Sequence, residues 1–449
     1  MNLLENKRGS FSSSLGFIVA AAGSAIGLGN LWKFPYVAGS NGGGIFLILY
    51  IMFIFILGIP LLLAEMSLGR KTQSSAVGAY KSLNKKWSFV GIIGVICSFI
   101  IVTYYSVVGG WVLKYCWEYL VGENFGKNKQ EYFSNFISDP IEPLIWHILF
   151  ISFCAFIIIL GVEKGIEASS KILLPGLFVL ITVIAIYSCL LQNSLEGIKF
   201  LFVPNFESVS DIKHFSNIVF AAMSQVFFSL SLGLGITITY GSYLKKNTNL
   251  MTNSLIVAGL DTLVAVLSGL AIFPVVFAFG YTPTAGPGLI FGILPAVFES
   301  ITFGNLLGFA FFLLVFIAAA TSAMALLEVV CAFLIDNFNW NRKAATIIIS
   351  SLAMIIGVFN SLSMGKLSDI RIMNLNMFDF MSYITDKILM PLSALLMCVF
   401  IGYILGPDKL SDEIECSSDF SKFRKFFYVI LKYVAPIIIT VIFIIGIIS

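Results

Sequence analysis

Residues 23–36 read GSAIGLGNLWKFPY, and they sit inside an apolar run that opens near Leu15. Gly23, Gly27 and Gly29 share this stretch with Asn30, Lys33 and Pro35. Glycine and proline are the poorest helix formers, and an amide or an ammonium is costly in hydrocarbon. A segment placed to cross a bilayer therefore carries, near its middle, residues that interrupt a helix.

The rest of the chain leaves little room for a water-soluble reading. It has 449 residues, of which 58% are hydrophobic and 11% charged, and its mean hydropathy is +0.97. A soluble domain is usually about 25% charged. Apolar runs of about 20 residues recur, the length that crosses a hydrocarbon core of about 30 Å. A membrane barrel would show alternation over about 10 residues instead. The expectation is an all-α polytopic membrane protein. A net charge of +3 gives no nucleic-acid signature. Seven cysteines form no CxxC pair, and His147 and His214 make no ligand set with them. The polar residues 1–11 lack a signal-peptide pattern, so the first apolar run is expected to remain in the protein.

About eleven spans are expected, over residues 15–37, 43–68, 88–120, 143–161, 167–191, 216–243, 250–280, 304–337, 343–361, 376–404 and 424–448. With the N-terminus in the cytoplasm, the inside segments hold 17 Lys and Arg and the outside loops 6. That bias fixes the orientation. An odd number of spans places the C-terminus outside. The external loops near 121–142 and 192–215 are polar with interspersed aromatics. No soluble domain or linker separates the spans, so residues 1–449 form one transmembrane domain.

The opening stretch has an echo. Gly27-Leu-Gly-Asn30 in span one matches Gly233-Leu-Gly-Ile236 in span six, and these spans would open two five-helix halves. Interrupted segments at matching places in two halves point to a transporter site at the bilayer midplane. Small residues at this spacing also let helices pack closely, but the paired placement favours the site. Ionisable residues inside spans point the same way. Asp261 lies mid-run in LIVAGLDTLVAVLSG and needs a cation, a proton or several donors. Lys33 follows Asn30 by three residues, with interfacial snorkelling as the plain alternative. Glu65, near one end of span two, can equally be structural. Thr321 and Ser322 are adjacent hydroxyls in AAATSAMALLE; back-bonding to the preceding turn is their common fate. A hard cation nevertheless takes oxygen ligands, and hydroxyls, Asn30, Asp261 and freed carbonyls would supply them. GSAIGLGN lacks the spacing and the preceding strand of a nucleotide loop.

Together these residues resemble the neurotransmitter:sodium symporters (sodium- and chloride-dependent transporters), and most of all their bacterial amino-acid members. The likeness rests on GSAIGLGNLWKFPY, NGGGIFLILYIMF with GIPLLLAEMSLGR, Tyr104-Tyr105, SQVFFSLSLGLG and AAATSAMALLE, and it covers nearly the whole chain. It implies a leucine-transporter-type fold, a five-plus-five inverted repeat with helices one and six broken. Repeat one would cover about 12–191, repeat two about 216–404, and an extra helix about 424–448. It implies two Na+ sites. The first would use the carbonyl of Ala25 with Asn30, Ser229 and Asp261, completed by the substrate carboxylate. The second would use the carbonyls of Gly23, Ile26 and Ala318 and the hydroxyls of Thr321 and Ser322. The substrate carboxylate would meet the Gly27–Leu28–Gly29 backbone and the Tyr105 hydroxyl. The amine would meet carbonyls near Ala25, Phe228 and Ser231. Ile101, Tyr105, Phe228, Ser231, Leu234, Ser322 and Leu326 would form the side-chain pocket. That lining is apolar and suits a hydrophobic or aromatic L-amino acid, with tyrosine or tryptophan favoured because Leu234 replaces a phenylalanine found in a bacterial relative.

Three departures carry expectations of their own. Asp261 stands where many members have asparagine, and its fixed charge would make chloride redundant. Lys33 stands where arginine is usual, so a bidentate clamp becomes a point charge. Its acid partner is expected at Asp379, with Ser382 nearer the usual position of that acid. Phe11 replaces a tryptophan at an inner gate where Arg8 would pair with Asp336 and Tyr243 would pack nearby. Gly165 and Pro175 resemble a family motif that lets span five unwind, the alternative being an ordinary proline kink. The expected function is Na+-coupled import of an amino acid across the cell's inner membrane by alternating access, with no enzyme chemistry. The same fold coupled to protons, or a non-transporting amino-acid sensor, are the alternatives.

Overall fold

In hydrocarbon the backbone amides and carbonyls find no water, so an apolar run is stable only if it bonds to itself as a helix. The computed structural model describes residues 9–122, 125–126, 128–206, 212–281, 289–300 and 302–448. Among them nine helices are long and apolar enough to cross a membrane: Gly44–Thr72, Lys85–Val121, Glu142–Ile159, Val162–Cys189, Leu250–Ala278, Gly304–Phe338, Arg342–Leu362, Met377–Leu405 and Ser421–Ile447. A tenth span is the bent pair Ser14–Ala25 and Gly29–Ser40. The expected span over 216–243 folds as Ile212–Ser229 and Ile236–Gly241 on either side of a turn. Counting these two broken elements in chain order gives spans one to eleven, the number used below.

Proline explains much of the local geometry. A proline removes one helical donor and crowds the preceding turn. Five π-helical turns that run on into α-helix, Gly29–Lys33, Ile54–Gly58, Leu289–Ile293, Ile384–Leu389 and Ile430–Val434, end two residues ahead of Pro35, Pro60, Pro295, Pro391 and Pro436. A π turn absorbs the clash by inserting one residue without ending the helix. At Pro175 and Pro274 the helix instead continues as α. Gly165 lies in the π-helical turn Val162–Glu167 that begins span five, and it is buried.

Among the nine unbroken spans, three and eight are the most enclosed, and five and eleven the least. The polar loops contain more helix than their composition suggests: Lys129–Ser138, Leu195–Phe202 and Leu294–Ser300 on one face, and Pro407–Glu415 on the other. On the face where span one begins, Arg70 is fully buried at the end of span two. Its Nε meets Glu413 Oε1 at 2.9 Å, and its Nη1 donates to Ser417 Oγ at 3.0 Å and to the carbonyls of Lys246 and Thr248. One guanidinium thus joins span two to the segments after spans six and ten.

Candidate functional site

Span one leaves the helix at Ile26, where φ and ψ become −71° and 97°. It resumes at Gly29, and its two halves diverge by 47°. Freed groups of the break are taken by side chains. Gly27 N–H donates to Asn30 Oδ1 at 3.2 Å, and Leu28 N–H donates to the Tyr105 hydroxyl at 3.2 Å. Ser322 Oγ donates to the Ser24 carbonyl at 3.0 Å. A Cβ on Gly27 would overlap Ser322 Oγ and lie 3.1 Å from the Tyr105 hydroxyl, so a larger residue would displace these groups from the break.

The second break covers Leu230–Gly235, with positive φ at Ser231 (53°), Gly233 (81°) and Gly235 (77°). Glycine takes this conformation without penalty, whereas Ser231 is held there by its surroundings. Glu65 accepts the Gly233 N–H at 2.8 Å and also the Thr237 hydroxyl, while Ser98 Oγ donates to the Leu234 carbonyl at 2.8 Å. Glu65, which composition left open, thus holds the second break.

Asn30 links the two breaks through a fully buried polar knot. Its Nδ2 donates to Asp261 Oδ1 at 2.8 Å and to Ser229 Oγ at 3.0 Å. Ser229 Oγ donates to Asp261 Oδ2 at 2.7 Å, and the Tyr50 hydroxyl donates to the same oxygen at 3.2 Å. Gln225 Nε2 donates to the Gly29 carbonyl at 2.9 Å. The knot therefore unites three of the expected ligands of the first Na+ site, and Tyr50 and Gln225 are additions to it. Asp261, Ser229 and Tyr50 contribute oxygens here, which fits a hard monovalent cation. To ligate one through Oδ1, the Asn30 amide must turn over from the orientation in which Nδ2 faces Asp261.

At the expected second site, Thr321 Oγ1 donates back to the carbonyls of Ile317 and Ala318, 3.1 Å from each. Gly23 faces it: a Cβ there would lie 3.5 Å from Thr321 Cβ and 3.9 Å from Oγ1. Ile26, the third expected carbonyl, is the cap residue of the first half-helix.

Between the breaks lies a cavity of about 40 Å³. Ala25, Gly27, Leu28 and Gly29 from span one face it, with Ile101 and Tyr105 from span three. Phe228, Ser231 and Leu234 close it from span six, and Ser322 and Leu326 from span eight. All seven expected side-chain positions are in its wall. Ile236 and Met390 also line it, and neither was expected.

The gate away from the N-terminus corrects one expectation. Lys33 Nζ meets Asp386 Oδ2 at 3.2 Å, not Asp379. Asp379 is exposed and caps the first turn of span ten with Asn376. The two acids are seven residues apart, hence on one helical face, and only the depth of span ten in the bundle selects Asp386. Lys33 also lies 3.6 Å above the centre of the Phe228 ring, so gate and cavity wall touch. Tyr104, beside Tyr105, turns to span ten, its hydroxyl 3.1 Å from Thr385 Oγ1.

At the N-terminal face, Phe11 is buried against Phe17, Tyr240 and Tyr243, with ring centres 5.5, 5.7 and 6.1 Å away. Arg8 lies outside the described residues. Asp336 accepts the Ser75 N–H at 2.7 Å. Tyr243 donates to Glu328 Oε1 at 2.6 Å, and Arg342 pairs with both oxygens of Glu328. Glu328 and Arg342 were not singled out in sequence, although each is a charge in or beside an apolar run.

A helical bundle with two facing helix breaks, a central cavity between them and charged contacts closing either end defines a secondary membrane transporter. The family model for the sodium:neurotransmitter symporter family matches residues 8–135 and 127–449. The chain is 37% identical over 454 residues to an uncharacterized sodium-dependent transporter of Bacillus subtilis, covering 99% of each. It is 29% identical over 303 residues to the sodium-dependent neutral amino acid transporter B(0)AT2 of Rattus norvegicus, covering 61% of this chain and 41% of that protein. Its fold matches the crystal structure of MhsT in complex with L-phenylalanine at a TM-score of 0.89 and 42% identity, covering 97% and 99% of the two chains. The chain belongs to the sodium:neurotransmitter symporter family and is a sodium-dependent symporter of the leucine-transporter type.

Proposed function

We propose that this protein imports a hydrophobic L-amino acid, with aromatic side chains favoured, together with Na+ at two sites and without chloride. The observation that carries the reading is the Asn30–Ser229–Asp261 knot, which ties both helix breaks together at the edge of an apolar cavity. The half-helix ends supply what a zwitterion needs. Amides at an N-terminal end favour a carboxylate, and freed carbonyls favour cations. Leu28 N–H and the Tyr105 hydroxyl, already bonded to each other, are the groups that would turn to the substrate carboxylate. Tyr105, Phe228, Leu234 and Leu326 would take an apolar side chain. Substrate binding in MhsT, an L-phenylalanine complex, supports the aromatic preference.

Chloride independence follows from charge. Asp261 places a fixed carboxylate beside the first Na+ position, so no mobile anion is needed to balance it. In this reading residues of about 12–191 and 216–404 form the two repeats, the chain lies in the cell's inner membrane with its N-terminus in the cytoplasm, and its partners are the amino acid and the lipid bilayer, with no nucleic acid. Na+ favours the form open at the Lys33–Asp386 gate, substrate permits its closure, and Na+ release at the other face drives delivery.

The test is binding of an L-amino-acid panel to purified protein in NaCl, in sodium gluconate and in choline chloride. L-Phenylalanine, L-tyrosine and L-tryptophan should bind equally in both sodium media and fail to bind in choline. Uptake into proteoliposomes that persists in choline on a pH gradient would favour proton coupling. Binding without any saturable uptake would favour a sensor.

A further inference from the structure

The geometry points to Met390 as the residue that measures the substrate's side chain and transmits its size to the Lys33–Asp386 gate. This rests on the amino-acid reading of the cavity given above.

Met390 is the single contribution of span ten to the cavity wall, and it is buried. Asp386, the gate acid, lies four residues earlier in the same span, about one turn toward the gate. The π-helical turn Ile384–Leu389 carries Asp386 and ends immediately before Met390. Pocket wall and gate are thus adjacent parts of one short element.

Backbone packing leaves that element little freedom behind Met390. A Cβ on Gly233 would lie 2.7 Å from the Met390 carbonyl oxygen and 3.1 Å from Ala394 N, so span ten lies directly on the second break. Tyr104 holds the same turn from span three through Thr385. With the backbone confined, the thioether is the part that yields. The cavity holds about 40 Å³ with the gate pair closed, roughly room for three waters and too little for a phenyl or indole side chain. Its other apolar walls are branched or ring side chains, Ile101, Tyr105, Leu234 and Leu326, on interlocked helices. Methionine is unbranched, has three rotatable bonds and repacks at little cost. Up to a certain size, an entering side chain bends Met390 aside and the gate closes. Beyond that size it presses on the turn that holds Asp386, and Lys33 loses its partner.

Three variants and the wild type test this by equilibrium binding in NaCl of L-leucine, L-phenylalanine and L-tryptophan. Met390→Phe should lower the ratio of L-phenylalanine to L-leucine affinity by roughly tenfold or more, the scale on which a pocket discriminates small volume differences. Met390→Ala should shift the ratio toward L-tryptophan. Met390→Leu, the variant least disturbing to folding, should shift it in the same sense as Met390→Phe but less. Hydrogen exchange of residues 384–389 adds a readout that plain packing would not move. In wild type L-phenylalanine should slow it, and in Met390→Phe it should not, while L-leucine still does. Ratios that stay within twofold of wild type in all three variants, or affinities that fall in parallel for every ligand, overturn the inference while leaving the amino-acid site intact. Failure of the wild type to bind any of the three in NaCl overturns the amino-acid reading and the inference with it.

Discussion

Asp261 receives hydrogen bonds from three different helices, through Asn30, Tyr50 and Ser229, and is fully buried. A carboxylate in that position is tolerable only with such donors or a cation beside it. Replacing it by Asn30's own chemistry, as in Asp261→Asn, removes the fixed charge without changing shape. The expected result is a weaker Na+ requirement curve and uptake of L-phenylalanine that now rises when chloride replaces gluconate; wild-type uptake should be indifferent to that exchange. Asn30→Ala removes the amide that caps Gly27 and spans to Asp261. It also removes the Oδ1 proposed as a Na+ ligand; a contact of a polar group with a charge is worth about 1.5–3 kcal/mol, so Na+-dependent binding should weaken about ten- to a hundredfold, measured as the Na+ concentration that half-saturates L-phenylalanine binding. At this scale the sequence was readable where a polar residue stood in an apolar run, as Asn30 and Asp261 do. Gln225, an amide inside AAMSQVFF, carried the same kind of signal and went unread, whereas Tyr50 gave none. A tyrosine in LILYIMF is ordinary in a membrane helix, and which way it faces is a property of the bundle.

The two breaks behave as elements, not as isolated residues. Gly27 allows Ser322 and Tyr105 to close on span one, and a methyl group there meets Ser322 Oγ. Gly27→Ala should therefore reduce L-phenylalanine binding by about tenfold or more while leaving the melting temperature within a few degrees, since a misplacement of about 1 Å is enough to cost binding geometry without unfolding the span. The comparison is ligand titration against thermal unfolding in one detergent. Span ten offers a second test. Asp386→Asn should slow uptake, and Asp379→Asn, at an exposed helix cap, should leave the uptake rate near wild type. The reverse result in a proteoliposome assay would return the gate to Asp379. Helical repetition explains why the earlier acid was the natural expectation: positions seven apart share a face, and nothing in the order of residues states how deep each turn sits. The break in span one was legible from Gly27 and Gly29, although the chain leaves the helix at Ile26, slightly before them.

At the scale of the whole molecule, Arg70 ties segments that sequence leaves far apart. It is fully buried and pairs with Glu413, which also accepts Lys246 at 2.9 Å. Removing one partner of a buried pair commonly costs about 3–5 kcal/mol because the other charge is left behind. Arg70→Met should lower the thermal midpoint of the purified protein clearly, and the double change Arg70→Met, Glu413→Gln should recover part of the loss; an unchanged midpoint in the single variant would show that the pair is not structural. Composition and hydropathy by themselves determined that this is a bundle of about eleven membrane segments, because apolar runs in hydrocarbon must close their own hydrogen bonds. The glycines and stray polar residues determined which two segments break and which residue types gather there, because such residues are too costly in a membrane to be incidental. Only the tertiary structure decided the partners: Asp386 for Lys33, Tyr50 for Asp261, Glu65 for the second break, Met390 in the pocket wall. Those pairings depend on the rotation and depth of whole helices against one another, set by packing over many side chains at once, and no local stretch of sequence contains that information.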